Sequence, residues 1–365
     1  MNFKEQRERK AFLALEDGSV FYGYSAGAPA DACGEAVFNT SMGGYQEILS
    51  DPSCAGLFVV MTAPEVGCYG VNPDDMESRK FFAAGLITRS INEPSNWRSK
   101  ESLKEALTRH KTPALAGIDT RALTLHLRER GSQKAFICAT GEISPEKAIE
   151  KAKAWQGIDN RDYASVVSCE KPYEWEFEGF DGEKLPPADL HIVAYDFGIK
   201  YSILKNLRRT GMKVTVVPAN TPAKAVLAMK PGGVFLSSGP GDPAATTYAV
   251  ENTKNLIGKV PIMGVCLGHQ IIGLALGGKT QKLKLGHHGC NIPIKDCSTK
   301  AVEISSQNHN YTVIPQGIEK STITYENLND GSIEGLHLKN EKVFSVEFQP
   351  EMHLFKKFRE MVLEK

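Results

Sequence analysis

VPIMGVCLGHQIIGLALGG (residues 260–278) decides how the second half of this 365-residue chain is read. Its opening, 260–265, is an apolar run that fits a buried strand, and IIGLALGG after it fits a helix. Gly264 and Gly268 stand two residues to either side of Cys266. That is the G-x-nucleophile-x-G elbow with Cys in place of Ser. A nucleophile on a strained strand-to-helix turn needs neighbours without a Cβ. The turn also puts the thiol at a helix N-terminus, where the positive end of the dipole favours the thiolate. The N–H of Leu267 then points where an oxyanion would form. A buried packing cysteine between two glycines is the plainer alternative for the same five residues.

The surroundings of the elbow read as α/β. LHIVAYDFG is a strand, KYSILKNLRRTG a helix, MKVTVVPA a strand, TPAKAVLAMKPGG a short helix and GVFLSSGPG a strand entering a glycine-rich turn. The alternation implies an open, mainly parallel sheet with helices on both faces. SSGPGDP (237–243) follows its strand at the carboxyl end of that sheet, where ligands bind in such folds. Its glycines let backbone amides approach a ligand, or form an ordinary tight turn. The tail changes to hairpin-like strands, among them CNIPIKD, STITYEN and VFSVEF, and closes on the helical MHLFKKFREMVLEK.

The first half is β-rich with some helix. AGLFVVMTAP is a continuous apolar run, as in a buried strand. SKESLKEALTRH and ISPEKAIEKAKAW show a Ser cap before helical spacing, and IDTRALTLHLRERG a helix with a Gly stop. EKPYEWEFEGFDGEKLPPAD is acidic and aromatic and contains adjacent prolines, the composition of a linker. The expected organisation is therefore domain 1–170, linker 171–190 and domain 191–365.

Composition excludes several classes. Lys plus Arg is 43 and Asp plus Glu is 43, which leaves no bulk positive charge for nucleic acid or a membrane surface. No run of apolar residues is long enough for a membrane span. The start, MNFKEQRERKAFLALEDG, lacks the apolar core of a signal peptide, so a cytoplasmic location is expected. Eight cysteines form no CxxC, and His287–His288 has no third ligand at useful spacing, so neither a disulfide framework nor a metal centre is expected. His110, His126, His191 and His337 read as surface or packing histidines.

GVCLGHQ and SSGPGDP, in one α/β domain, resemble the class I, triad-type glutamine amidotransferases. GEAVFNTSMGGYQEILSDPS (34–53), GIDTRALT (117–124), VAYDFGIKYSILKNL (193–207), GHHGCNIPI (286–294) and SSQNHNYTV (305–313) narrow this to the carbamoyl-phosphate synthase small-subunit family, over nearly the whole chain. The resemblance implies that the second domain hydrolyses L-glutamine and that the first docks a large synthetase subunit. That partner would use ATP, bicarbonate and Mg to make carbamoyl phosphate for pyrimidine and arginine biosynthesis; this chain itself would need no cofactor. By the same resemblance Cys266 is the nucleophile, Gly239 and Leu267 are the oxyanion donors, and Ser53, Gly239, Gly241, Leu267, Gln270, Asn308, Asn310 and Tyr311 contact glutamine. Asn310 stands where the family usually has glycine. His269, beside the nucleophile in the GHQ signature, is read as structural.

The family closes its triad with His-Pro-Glu near the C-terminus. Here the segment is SVEFQPEMHLF (345–355): Pro350 and Glu351 are in place, but Gln349 occupies the position of the base. A neutral amide cannot accept a proton from a thiol or from water near neutral pH. Two histidines are substitute candidates: His353, one helical turn on, and His309, among the glutamine-contacting positions. Two functions follow as alternatives. One is a glutamine-hydrolysing subunit with weakened or re-routed base chemistry. The other is a non-catalytic scaffold of an ammonia-fed synthetase.

Overall fold

The computed structural model describes residues 10–180 and 182–364. Residues 1–9, on which the signal-peptide reading partly rests, and Asp181 of the expected linker lie outside the described residues. The chain divides into two compact units, Met1–Asp159 with Lys284–Gly289, and Asn160–Leu283 with Cys290–Lys365.

The first unit is a closed barrel. Its strands are β1 (Lys10–Leu15), β2 (Val20–Ser25), β3 (Ala32–Asn39), β4 (Leu57–Met61), β6 (Gly85–Ile87), β8 (Ala114–Ala116) and β9 (Gln133–Cys138), with a separate two-residue pair, β5 (Glu65–Val66) and β7 (Ser90–Ile91). The barrel order is β1-β2-β8-β6-β4-β3-β9, and antiparallel pairing of Leu13 with Ile137 closes it. The apolar run expected as a buried strand is β4, with all five residues buried. Phe58 and Val60 pack with Leu13, Leu15, Leu115 and Ile137, while Val59 and Met61 pack against Leu103 and Leu107 of a helix. Burying each such side chain contributes about 1.5–3 kcal/mol. Gly34 and Gly85 admit the Phe58 ring, because a Cβ at either would fall 2.9 or 3.0 Å from it. The helices start where the caps predict: Ser102 and Glu105 form a capping box before Leu103–Arg109, and Ser144 caps Pro145–Ala154. Thr120–Arg130 is capped by Asp119 and stops at Gly131, whose φ of 95° a side chain would resist.

The second unit is built on a sheet of ten strands: β10 (Tyr173–Trp175), β11 (Leu190–Asp196), β12 (Met212–Pro218), β13 (Gly233–Leu236), β14 (Ile262–Val265), β15 (Lys279–Asp296), β16 (Val302–Ile314), β17 (Thr322–Asn327), β18 (Ile333–Leu338) and β19 (Val343–Val346). Its order is β10-β12-β11-β13-β14-β19-β18-β17-β15-β16. The five strands from β12 to β19 are parallel, as the alternating rhythm implies. Antiparallel strands extend both edges, so the whole sheet is mixed. Helices cover both faces. Ile192 and Ala194 of β11 pack with Ile203 and Leu207 of Tyr201–Arg209 and with Phe355 and Phe358 of Met352–Leu363. Val193 and Tyr195, pointing the other way, pack with Val226, Leu256 and Ile271 of three further helices.

The expected linker is not one. The division falls at Asp159, and residues from Asn160 onward belong to the second unit. Tyr173–Trp175 pairs antiparallel with β12, Trp175 lies 5.0 Å from the Tyr201 ring, and Glu183 holds Arg209 at 2.7 Å. The aromatic and acidic residues that made 171–190 look like a spacer are the ones that fasten it to β12 and to the Tyr201–Arg209 helix. Residues 284–289 also leave the expected C-terminal domain for the first unit, where the Thr40 amide donates to His288 O at 3.1 Å.

Candidate active site

Cys266 sits where β14 ends and the Leu267–Ala275 helix begins. Its backbone takes φ 52° and ψ −110°, a combination that L residues avoid. Two features hold it there. The Cys266 amide donates to Val346 O of β19 at 2.9 Å, and the Gly268 amide to Ser237 O at 3.0 Å. A Cβ on Gly268 would lie 2.2 Å from Leu236 O, and one on Gly264 would lie 2.6 Å from Ile272 Cδ1. The helix can therefore leave β14 this sharply only with glycine at both positions. Strand, turn and helix form the elbow that the sequence pattern describes.

The SSGPGDP loop comes against the elbow. A Cβ on Gly239 would lie 2.2 Å from Phe197 O and 2.7 Å from Leu267 Cδ2, which brings Gly239 and Leu267 together. Leu267 opens the first turn of its helix, whose N–H groups have no partner inside the helix. Gly241 has φ 90° and packs on Arg161 and Tyr163. Asp242 pins the loop by accepting from the amides of Asn160 and Ala244.

The thiol itself is buried, with Sγ 3.7 Å from Asn308 O. Asn308, Asn310 and Tyr311 lie along β16, the last two buried. The Gln270 side chain is already engaged: Nε2 donates to Tyr311 O and to Glu347 Oε1, each at 2.9 Å. Ser53 belongs to the first unit, in the Pro52–Cys54 turn, where its hydroxyl donates to Asp51 Oδ1 at 2.7 Å.

The C-terminal candidates divide sharply. Gln349 is half-buried and its amide donates to Ser306 O at 2.8 Å. Glu351 is exposed at the start of Met352–Leu363 and makes no capping bond, and His353 is exposed on that helix. His309 is buried, with Nδ1 2.7 Å from Tyr311 O and Nε2 2.9 Å from Gln307 Oε1. His269 is fully buried, with Nδ1 2.9 Å from Ser345 Oγ, and burial pushes its pKa down to about 3. It is a neutral packing residue at any ordinary pH.

One residue beside the thiol was not singled out in the sequence. Glu347 follows β19 directly and is 1% exposed. Its Oε1 accepts from Gln270 Nε2, one helical turn beyond Cys266, at 2.9 Å. Its Oε1 lies 3.8 Å from His309 Nδ1, and its Oε2 lies 3.8 Å from His269 Nε2. Burial raises the carboxyl well above the usual carboxylate range, with the nearby Glu334 charge adding to the rise; the bonds from Gln270 and Cys266 lower it. Glu334 is itself pushed up to about 7 by burial, against the bonds from Asn327 and Gln307. The available signal was a carboxylate inside the apolar run VFSVEF.

Comparison with known proteins matches residues 13–137 to the carbamoyl-phosphate synthase small chain, CPSase domain, and residues 193–363 to glutamine amidotransferase class-I. The chain is 49% identical over 349 residues to a chloroplastic carbamoyl phosphate synthase small chain of Oryza sativa subsp. japonica, covering 93% of this chain and 78% of that one. It is 46% identical to the carbamoyl phosphate synthase small chain of Syntrophotalea carbinolica, covering 97% of this chain and 98% of that one. The small chain of Akkermansia muciniphila is 47% identical, with 97% of each chain covered. With an elbow cysteine in a class I amidotransferase unit and a matching barrel unit before it, this chain belongs to the carbamoyl phosphate synthase small-chain family.

Proposed function

We propose that the chain releases ammonia from L-glutamine at Cys266 and supplies it to a large synthetase subunit. Sγ attacks the side-chain amide carbon. The Gly239 and Leu267 amides receive the oxyanion, ammonia leaves, and water cleaves the γ-glutamyl thioester to glutamate. The observation that carries this reading is the strained Cys266 backbone at a glycine-flanked strand–helix turn, pressed against the Gly239 loop. ATP, bicarbonate and Mg act on the large subunit, in the service of pyrimidine and arginine biosynthesis, and this chain carries no cofactor of its own. Gln270, Asn308, Asn310, Tyr311 and Gly241 orient glutamine in this reading, Asn310 through its backbone. The setting is the cytoplasm; no helix among the described residues is long and apolar enough to cross a membrane.

The barrel unit is the docking unit. Part of the 117–124 segment lines a cleft of about 620 Å³ with Arg89, Arg121 and Arg128 on its walls. Hydrogen exchange on adding the large subunit should slow in 34–53 and 117–124; slowing confined to the second unit would count against docking through the barrel.

Intact-mass measurement after glutamine addition tests the chemistry. A γ-glutamyl adduct on the parent that is missing from Cys266→Ala, together with ammonia release, is the expected result. Gln349 at the family's base position and the exposed Glu351 favour a second reading, a scaffold without glutaminase activity. No adduct and no ammonia, with or without the large subunit, would establish that one.

A further inference from the structure

We propose that Glu347 is the general acid–base partner of Cys266, in the place of the histidine that position 349 lacks. The inference rests on the amidase reading above and names the group that moves its protons.

Three observations carry it. The first is register. β14 and β19 run parallel with Val265 opposite Val346, and the Cys266 amide bonds Val346 O. The next residues along the two strands are Cys266 and Glu347, so the sheet itself delivers a carboxyl beside the thiol. The second is position: Glu347 Oε2 lies 3.8 Å from His269 Nε2, three residues beyond Cys266 on the helix that the elbow opens. The third is support. Glu347 Oε1 accepts from Gln270, and the Glu347 amide donates to Glu334 O at 2.8 Å, so side chain and backbone are both held. Glu347 Oε2 faces His269 Nε2 with neither atom hydrogen-bonded, which leaves that oxygen able to hold a proton.

His309 completes the surroundings as a positioning residue. Gln307 Nε2 donates to Ser305 Oγ and Glu334 Oε2, so Gln307 Oε1 can only accept from His309 Nε2. Tyr311 O likewise only accepts from Nδ1. Both ring nitrogens thus face acceptors, and Nδ1 lies 3.8 Å from Glu347 Oε1. Burial raises the carboxyl well above the usual carboxylate range, the direction needed by a group that both takes and returns a proton. The groups facing it are Cys266 and His269 from the elbow, His309 from β16 and Glu334 from β18.

The proton balance closes. The carboxylate takes the Sγ–H proton as the S–C bond forms. The acid returns it to the departing nitrogen as the C–N bond breaks, releasing ammonia. The carboxylate then takes a proton from the water that attacks the thioester carbon, and gives it to Sγ as the C–S bond breaks.

Glu347→Gln is the test, because the amide keeps Oε1 as an acceptor for Gln270. Glutamate release by the full-length chain with its large subunit should lose about 10²–10⁴-fold in kcat, with glutamine KM changed little and the rising acid limb of the kcat profile gone. A kcat within about threefold of the parent, with that limb intact, overturns the proposal. If the variant does not fold, the parent decides. Its rate of Cys266 alkylation by iodoacetamide against pH should show a second inflection below that of the thiol, because coupled groups titrate as a pair. A single inflection overturns the pairing. Alkylation needs no glutamine, so a parent that shows both inflections but makes no glutamate refutes the amidase reading and leaves the Cys266–Glu347 pair standing.

Discussion

Replacing Cys266 by glycine should make the protein more stable than replacing it by alanine. Both variants lose the thiol, so the comparison isolates the backbone. At φ 52° and ψ −110° a Cβ is strained, and alanine keeps that Cβ. A residue held in such a region costs about 1–3 kcal/mol. Glycine removes that cost but adds about 0.5–1 kcal/mol of chain entropy relative to alanine. The net gain is about 1 kcal/mol, with a range from near zero to about 2.5 kcal/mol. For a domain of this size that corresponds to a melting temperature about 2–4 °C higher for Cys266→Gly than for Cys266→Ala. Differential scanning calorimetry on the two full-length variants measures it. A Gly variant that melts about 2 °C or more below the Ala variant would show an unstrained elbow and refute the reasoning. The sign matters for function, because at an ordinary helix or strand position glycine is the worse residue.

Three other outcomes follow from the same geometry. Gly239→Ala places a Cβ 2.2 Å from Phe197 O and against Leu267, so the loop must move away from the elbow; a lost oxyanion donor costs about 10²–10³-fold in kcat, and a variant as active as the parent would remove Gly239 from that role. Gln349→His should change kcat by less than about threefold, since Glu347 already moves the proton; a rise near 10²-fold would mean that the missing histidine limits turnover after all. Glu334, raised from 4.5 to about 7 in the fold, binds a proton there that the unfolded chain has released. Its contribution is fully present below about pH 4.5 and lost as pH rises through about 7, so Glu334→Gln should gain on the parent by on the order of 3 kcal/mol across that window in urea melts. Parallel stability curves for the two proteins would contradict it.

The elbow was legible in the sequence because its determinants are local. Gly264, Cys266 and Gly268 lie within five residues, and the apolar runs on either side declare strand and helix by themselves. The same holds for the capped helices at Ser102 and Ser144 and for the buried run of β4, each decided by neighbours a few positions away. Residues 171–190 show where composition misleads: acidic, aromatic and proline-rich text describes a spacer equally well, and only the pairing of Tyr173–Trp175 with β12 makes it an edge strand. Glu347 is the stronger case. Nothing within its own segment says that a carboxylate in VFSVEF belongs beside a thiol 81 positions earlier in the chain. The parallel register of β14 and β19 puts it there, and burial between His269, His309 and Glu334 sets its protonation. Local pattern determined the strand–turn–helix elbow around Cys266. The carboxyl environment beside it is made of residues from β16 and β18, from the ends of β14 and β19 and from a helix, and it exists only once the sheet has formed.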